Sequence, residues 1–348
     1  MPLNPTTLAV PGVGSFRGIN PFFDIVPVTI TGAANQPITS RINFVQASDP
    51  TGKGMIIIKR RDATGNWFWT NNYTDANVQV GASPNTYFIN GDVAAGGIQP
   101  AVISAFNATG CTVNNANLVA GNYISYHIRE NRNAGWFSTY TYTGQATPIT
   151  MNPLLGGTDV TRHMPGLIIV KHSDTQNIND IDWYVHHRNL PATRNFRLDS
   201  SAAAVTSAVF NNFTPTLTQW QVAGDMNFNT NFYRAFIFAD NKMPDGNSCV
   251  GTYVGNGNII GPEQTCGWKP DFIAIKGDQV SDWALFDRPR GIVGTANDGD
   301  LKFNVNDIEV FSKDIGITTR GFQIRTTNNI VNALGVNYYW WALRWQDG

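Results

Sequence analysis

The stretch GMIIIKRRDATGNWFW, Gly54 to Trp69, sets an unbroken apolar run ahead of a Lys, a polar turn and a Trp. Ile56, Ile57 and Ile58 do not alternate with polar residues, which predicts a strand buried on both faces. The polar turn and the return to aromatic residues predict a hairpin. The same order recurs in GLIIVKHSDTQNINDIDWYV, Gly166 to Val185, and in DFIAIKGDQVSDWALF, Asp271 to Phe286. Each apolar run ends in a Lys (Lys59, Lys171, Lys276), spaced 112 and 105 residues apart, and each is followed by a Trp (Trp67, Trp183, Trp283).

A second signature closes each copy: AGNYISYHIR, NFYRAFIF and GVNYYWWALR, aligned on Tyr123, Tyr233 and Tyr338 at spacings of 110 and 105. Each copy also opens on a patterned strand followed by a Gly turn, from Phe22, Gly135 and Cys249. Two signatures in one order at one offset mark an internal repeat. The expected organisation is an extended arm over 1–19 and repeats over 20–131, 132–241 and 242–348. The joints fall in the polar turn clusters at Asn131-Arg132-Asn133 and Asn241 to Gly246. Helix signals are thin: Ser201 to Val205 and Asn304 to Phe311 offer at most a short turn.

Composition agrees with many short strands. Aromatic residues reach 12%, while charged residues make up only 14%, well below the roughly 25% usual for soluble proteins. Abundant Asn and 33 Gly suit tight turns. The expected fold class is therefore all-β, with three tandem, diverged antiparallel β-sandwich domains of the jelly-roll type. Net charge is −1 with Lys and Arg scattered, so no cationic stripe exists for a nucleic acid. No apolar run is long enough for a membrane span, and the first residues lack the pattern of a signal peptide.

The repeated Lys is expected at the edge of solvent, its stem covering the Trp and its ammonium in water. A ligand pocket made from Lys, Trp and the hairpin loop is the functional alternative. Loops that vary on a constant scaffold carry specificity, which singles out Arg61, Asn66, His172, Asn177, Asp278 and Ser281 as candidate binding residues. In Tyr338-Tyr339-Trp340-Trp341, alternation sends two aromatics to each face. One pair fills a core; the other packs on a neighbour or stacks on a sugar. Of the three cysteines, Cys249 and Cys266 either pair across a Gly-rich segment or stay free. His186 and His187 face opposite ways in a strand, so no metal site is expected. Asp180 with Asp182, or Asp298 with Asp300, could form a carboxylate pair for glycan cleavage, but they sit in Asn- and Gly-rich turns and nothing tunes either pair to act as an acid. No catalytic residue and no cofactor is expected.

The third copy resembles the SPRY-like or concanavalin-like sandwich repeats of bacteriophage tail fibres and other virion structural proteins. The likeness is carried by KPDFIAIKGDQVSDWALFDRPRG, GFQIRTTNN and NYYWWALRW. The second copy shares it through Pro165 to Lys171, Asp182-Trp183 and Phe232 to Phe238, and the first through Met55 to Trp69 and Tyr123 to Arg129. The first lacks the Asp-Arg-x-x-Gly of Asp287, Arg288 and Gly291. The resemblance implies a virion structural protein (tail fibre, knob or capsid decoration), made in the host cytoplasm and homo-oligomeric. Its partners would be other virion proteins and a host-surface glycan or receptor. Deleting the arm at 1–19 would then block incorporation while leaving the sandwiches folded. A lectin-like module and a glycan-degrading enzyme are the rival readings.

Overall fold

The computed structural model describes residues 22–33, 35–45, 53–72, 85–88, 102–114, 118–131, 135–156, 163–173, 182–292, 298–313 and 315–344. The arm at 1–19, Asn177 and Asp180 lie outside them. The stretches 20–131, 132–241 and 242–348 are called the first, second and third unit below.

The first unit runs β1 (Phe23–Ile30), β2 (Gln36–Thr39), β3 (Gly54–Arg60), β4 (Trp67–Asn71), β5 (Asn85–Phe88), β6 (Ile103–Asn107), β7 (Gly110–Val113) and β8 (Gly121–Arg129). The second runs β9 (Phe137–Thr143), β10 (Ile149–Met151), β11 (Met164–His172), β12 (Trp183–His187), β13 (Arg194–Arg197), β14 (Val205–Thr206), β15 (Trp220–Val222) and β16 (Phe232–Asp240). The third runs β17 (Ser248–Val254), β18 (Glu263–Thr265), β19 (Phe272–Gly277), β20 (Ala284–Asp287), β21 (Asp298–Lys302), β22 (Val310–Lys313), β23 (Ile315–Thr318), β24 (Gly321–Ile324) and β25 (Asn337–Leu343). One short helix, α1 (Asn329–Asn332), precedes β25. The stretches at 201–205 and 304–311 are not helical but become loop and edge strand. Among the described residues no helix is long and apolar enough to cross a membrane.

One strand order recurs. The large sheets read β1-β8-β3-β4-β5, β9-β16-β11-β12-β13-β14 and β17-β25-β19-β20-β21-β22. The small sheets read β2-β7-β6, β10-β15 and β18-β24-β23, and all pairings are antiparallel. In each unit the strand carrying the apolar run (β3, β11, β19) is central, paired on one side to the hairpin strand and on the other to the closing strand. A strand in that place buries both faces, which is why its sequence does not alternate.

The two faces serve different cores. Ile56 and Ile58 point outward to a private core under the small sheet, whereas Met55 and Ile57 point inward. The second and third units have private cores of their own, the latter built on Ile273, Ile275 and Trp340. The inward faces of all three large sheets meet in one shared aromatic core. Trp69 of the first unit meets Trp183 of the second at 4.9 Å, and Phe238 of the second meets Trp341 of the third at 4.4 Å. Phe272 of the third meets Tyr126 of the first at 5.4 Å, closing the circuit. The units are therefore not beads on a string. Each completes its neighbours' burial in the shared core.

The aromatic tetrad at 338–341 shows the division of labour. Tyr338 and Trp340 enter the private core of the third unit, Tyr339 and Trp341 enter the shared one, and all four are buried. Of the two places open to the second pair, it takes the neighbouring unit, which leaves this strand no ring free for a sugar. Gly251, opposite Trp340 on β17, admits the indole across the strand where a Cβ would collide with it.

A buried Asn locks the turn before the closing strand. Asn332 Nδ2 donates to the carbonyls of Thr326 (2.7 Å) and Asn258 (2.8 Å), while its Oδ1 accepts from the Asn256 N–H (3.0 Å). Asn227, likewise six residues before its unit's Tyr, clips the opening turn of the second unit through the Gln145 N–H and the Thr147 carbonyl. Asn332→Ala is expected to cost about 2 kcal/mol, because it strands buried backbone groups. A lowered urea midpoint with faster amide exchange at Asn256 would register it.

Candidate functional site

The repeated Lys and Trp are joints between units. Trp67 Nε1 donates to the Lys302 carbonyl on β21 of the third unit (2.7 Å), and Trp283 Nε1 donates to the Arg197 carbonyl on β13 of the second (2.8 Å). Lys59 Nζ donates to the Asn306 carbonyl (3.2 Å), and Lys276 Nζ to the Ser201 carbonyl (3.1 Å). Those carbonyls also accept the N–H of Gly65 and of Ser281, both at 2.9 Å. Finally, Glu309 N–H donates to the Arg61 carbonyl (3.1 Å) and Ala204 N–H to the Asp278 carbonyl (3.2 Å). Four hydrogen bonds thus match one for one between the joint of units one and three and the joint of units three and two.

The expected solvent-facing ammonium is corrected here. Lys59 and Lys276 have no exposed surface, and burial pulls each down to about 8, partly offset by Asp307 and Asp282 respectively. The apolar strand delivers the Lys to carbonyls of the next unit, whose oxygen dipoles hold the ammonium directly. Lys171 is also buried, its ammonium 5.9 Å over the Trp183 ring. The repeated tyrosines face the private cores. Tyr233 and Tyr338 each accept an N–H from five residues upstream (Phe228 at 3.0 Å, Ala333 at 2.8 Å), and Tyr123 donates to the Val119 carbonyl (3.0 Å).

The joint of units one and three carries more. Arg290, its side chain wholly buried, is the last residue of a tight turn capped by Asp287 and sends Nε to Asp287 Oδ2 (2.6 Å). Its Nη1 reaches Glu309 Oε1 (3.3 Å), while Arg61 of the first unit grips Glu309 Oε2 through Nε (3.0 Å) and Nη2 (2.8 Å). Tyr126 of the first unit donates to Asp287 Oδ2 (2.6 Å). A ladder of charge thus runs from the shared core to the surface. The Asp-Arg-x-x-Gly sequence unique to the third unit was its trace, with Gly291 in the left-handed region at φ 112° ending the turn.

Where the ladder surfaces, a groove of about 410 Å³ opens between the units, lined by Pro27, Val28, Thr29, Arg61, Asp62, Asn122, Tyr123, Ile308, Glu309 and Phe311. Asp62 accepts Arg60 Nε (2.7 Å) and the Asn122 N–H (2.8 Å). Burial pushes its carboxyl up, and those hydrogen bonds outweigh this and leave it below the ordinary value. Both carboxylates of the groove are therefore held by guanidinium groups.

Of the candidate binding residues, Arg61 lines this groove. Asp278 and Ser281 sit in the other joint: Asp278 Oδ2 accepts from Asn337 Nδ2 (3.0 Å), and Ser281 Oγ accepts from the Gly277 N–H (3.2 Å). Asn66 is half-buried beside the first joint, and His172 is buried edge-on to Tyr233 at 5.1 Å. The structure brings none of these together into one pocket. Asp62 lies in the same hairpin loop as Arg61, which sequence reasoning did point to, whereas Asn122, Glu309 and Phe311 were missed, since they come from strands and loops far from it in the chain.

The remaining titratable groups have structural surroundings. His186 and His187 do face opposite ways, toward Phe210 and toward the Trp340 carbonyl (3.0 Å). Asp298 accepts the Ile315 N–H, and Asp182 pairs with Arg197 (2.8 Å). Cys249 and Cys266 are buried free thiols, and burial with the neighbouring Cys266 pushes the Cys249 thiol up. Among the described residues no three His, Cys, Asp or Glu side chains cluster as metal ligands would.

Residues 98–346 match the profile of a family described as a domain of unknown function, DUF7483. The comparison with curated proteins finds no match.

Proposed function

The chain belongs to the DUF7483 family, and from its own surfaces we propose that it is an adhesive structural subunit of a virus particle, working by binding rather than by turnover. The observation that carries this reading is the closed ring of three like units with a pre-set groove at one joint. Such a body presents a fixed surface, and preorganised surfaces favour recognition because little is lost in ordering them. In the groove, Glu309 and Asp62 are engaged by arginines, which suits them to accept hydrogen bonds from a ligand. The resemblance of the third unit to tail-fibre sandwiches points the same way. Other virion proteins, further copies of the chain and a host-surface glycan or receptor are the partners this implies, with assembly in the host cytoplasm.

The test is mass spectrometry and electron microscopy of particles purified from cells that express the chain. A stoichiometric component, labelled by antibody at a fixed place on the particle, is the expected result. Recovery of the chain solely in the particle-free fraction would remove the reading.

A further inference from the structure

The two matched joints provide an internal comparison for the groove. Pairing of Glu309 N–H with Arg61, and of Ala204 N–H with Asp278, equates positions 309 and 204. In the same register Ile308 and Phe311 correspond to Ala203 and Thr206. A joint of this design therefore closes with small or polar residues. Yet Ile308 and Phe311 stand 45% and 55% exposed where the counterpart has neither bulk nor a ring. A single exposed apolar residue is ordinary. Here two of them line one groove with an array of fixed polar groups.

That array is set before any ligand arrives. Arg61 is oriented by Glu309, Asp62 by Arg60 and the Asn122 N–H, and Asn122 Oδ1 accepts from Thr29 Oγ1 (3.0 Å). The volume lies in the range of small-ligand sites. A phenyl ring beside oriented donors and acceptors matches a pyranose, whose C–H face is apolar and whose rim is hydroxyl. Two carboxylates in the lining disfavour an anionic sugar or a phosphate. A strand-like peptide would need an unbroken run of free backbone groups along the edge strands β1 and β22. On one wall Pro27 has no N–H to offer, and on the other the Glu309 N–H is already spent on Arg61.

We propose that the groove between units one and three binds a neutral hexose glycan, with Phe311 as the stacking platform and Asp62, Asn122 and Arg61 as partners of its hydroxyls. The inference rests on the adhesive reading, for which it names the ligand class.

The full chain is titrated calorimetrically with neutral gluco-, galacto- and manno-configured oligosaccharides, with sialyllactose as an anionic comparison. At least one neutral sugar is expected to bind. Phe311→Ala should weaken it at least about tenfold, Phe311→Tyr should keep it, and Thr206→Ala at the other joint should leave it unchanged. An unshifted melting temperature confirms that Phe311→Ala is folded. No binding of any neutral sugar at millimolar concentration, binding of sialyllactose alone, or full affinity in Phe311→Ala overturns the proposal. A chain found in particles that binds no sugar sinks this inference alone, whereas a sugar-binding chain absent from particles sinks the adhesive reading instead.

Discussion

Lowering the pH from 7.5 to 5 is expected to cost this protein about 4–5 kcal/mol of stability, an order-of-magnitude figure set by three buried histidines. Burial pulls His127 and His186 down to about 3 and His187 to about 4. His127 has Ser125 Oγ at 2.9 Å and the Phe44 ring beside it, His186 faces Phe210, and His187 faces the Trp340 carbonyl and the Tyr339 ring. Among the described residues no carboxylate acts on any of the three rings. A folded-state value below the unfolded 6.5 means that the unfolded chain binds more protons under pH 6.5. Stability therefore falls as pH drops from about 6.5 toward 4, at about 1.4 kcal/mol per pH unit for each ring. At pH 5 that is about 2 kcal/mol apiece. Asp199 opposes it: burial raises its carboxyl to about 6, so protonation relieves the folded state and returns about 1.5 kcal/mol. Against a total of roughly 5–15 kcal/mol for an ordinary domain, this is a large share. Urea midpoints measured from pH 7.5 to 5 should fall steadily, and His186→Phe should remove nearly half of the net fall, because the opposing contribution of Asp199 stays. A flat profile over that range would show that these rings are not held neutral inside the fold.

Arg290→Met is expected to destabilise the protein by about 3–5 kcal/mol, because it strands a buried carboxylate. Asp287 has no exposed surface and would keep only the Tyr126 hydroxyl and the turn N–H as donors. Glu309 would lose one of its two guanidinium partners. The charge, more than the missing side chain, sets the cost. Adding Asp287→Asn to Arg290→Met should therefore recover part of the loss, since no unpaired ion then remains. Guanidinium chloride midpoints of the two variants test this; a double variant no better than the single would mean that packing at Arg290 dominates.

The fold was largely legible because strand patterning is local. The unbroken Ile56-Ile57-Ile58 run announces a central strand, and the Lys–Trp order announces its recurrence. What the Lys and Trp touch was not legible. Trp67 finds its acceptor 235 residues away and Trp283 finds its own 86 residues away, and a strand-end Lys reads locally as a solvated one. Asp287, Arg288 and Gly291 stood out as peculiar to one unit, yet Arg290, between them, carries the ladder. Of the groove, the hairpin loop with Arg61 was legible and the opposite wall was not. Asn304 to Phe311 reads at most as a short helical turn, and Ile308 and Phe311 do not stand out in it until the hydrogen bonds of the two joints are superposed. Only then does their bulk look out of place.

Calorimetric unfolding of the full chain addresses the account's foundation, that three like units surround one aromatic interior and stand or fall together. A single transition is expected, with its calorimetric and van't Hoff enthalpies in agreement. Trp69→Ala, which empties the contact of the first unit with Trp183 and Phe236, should shift that whole transition downward. Two or three separable transitions, with Trp69→Ala moving only one of them, would contradict it.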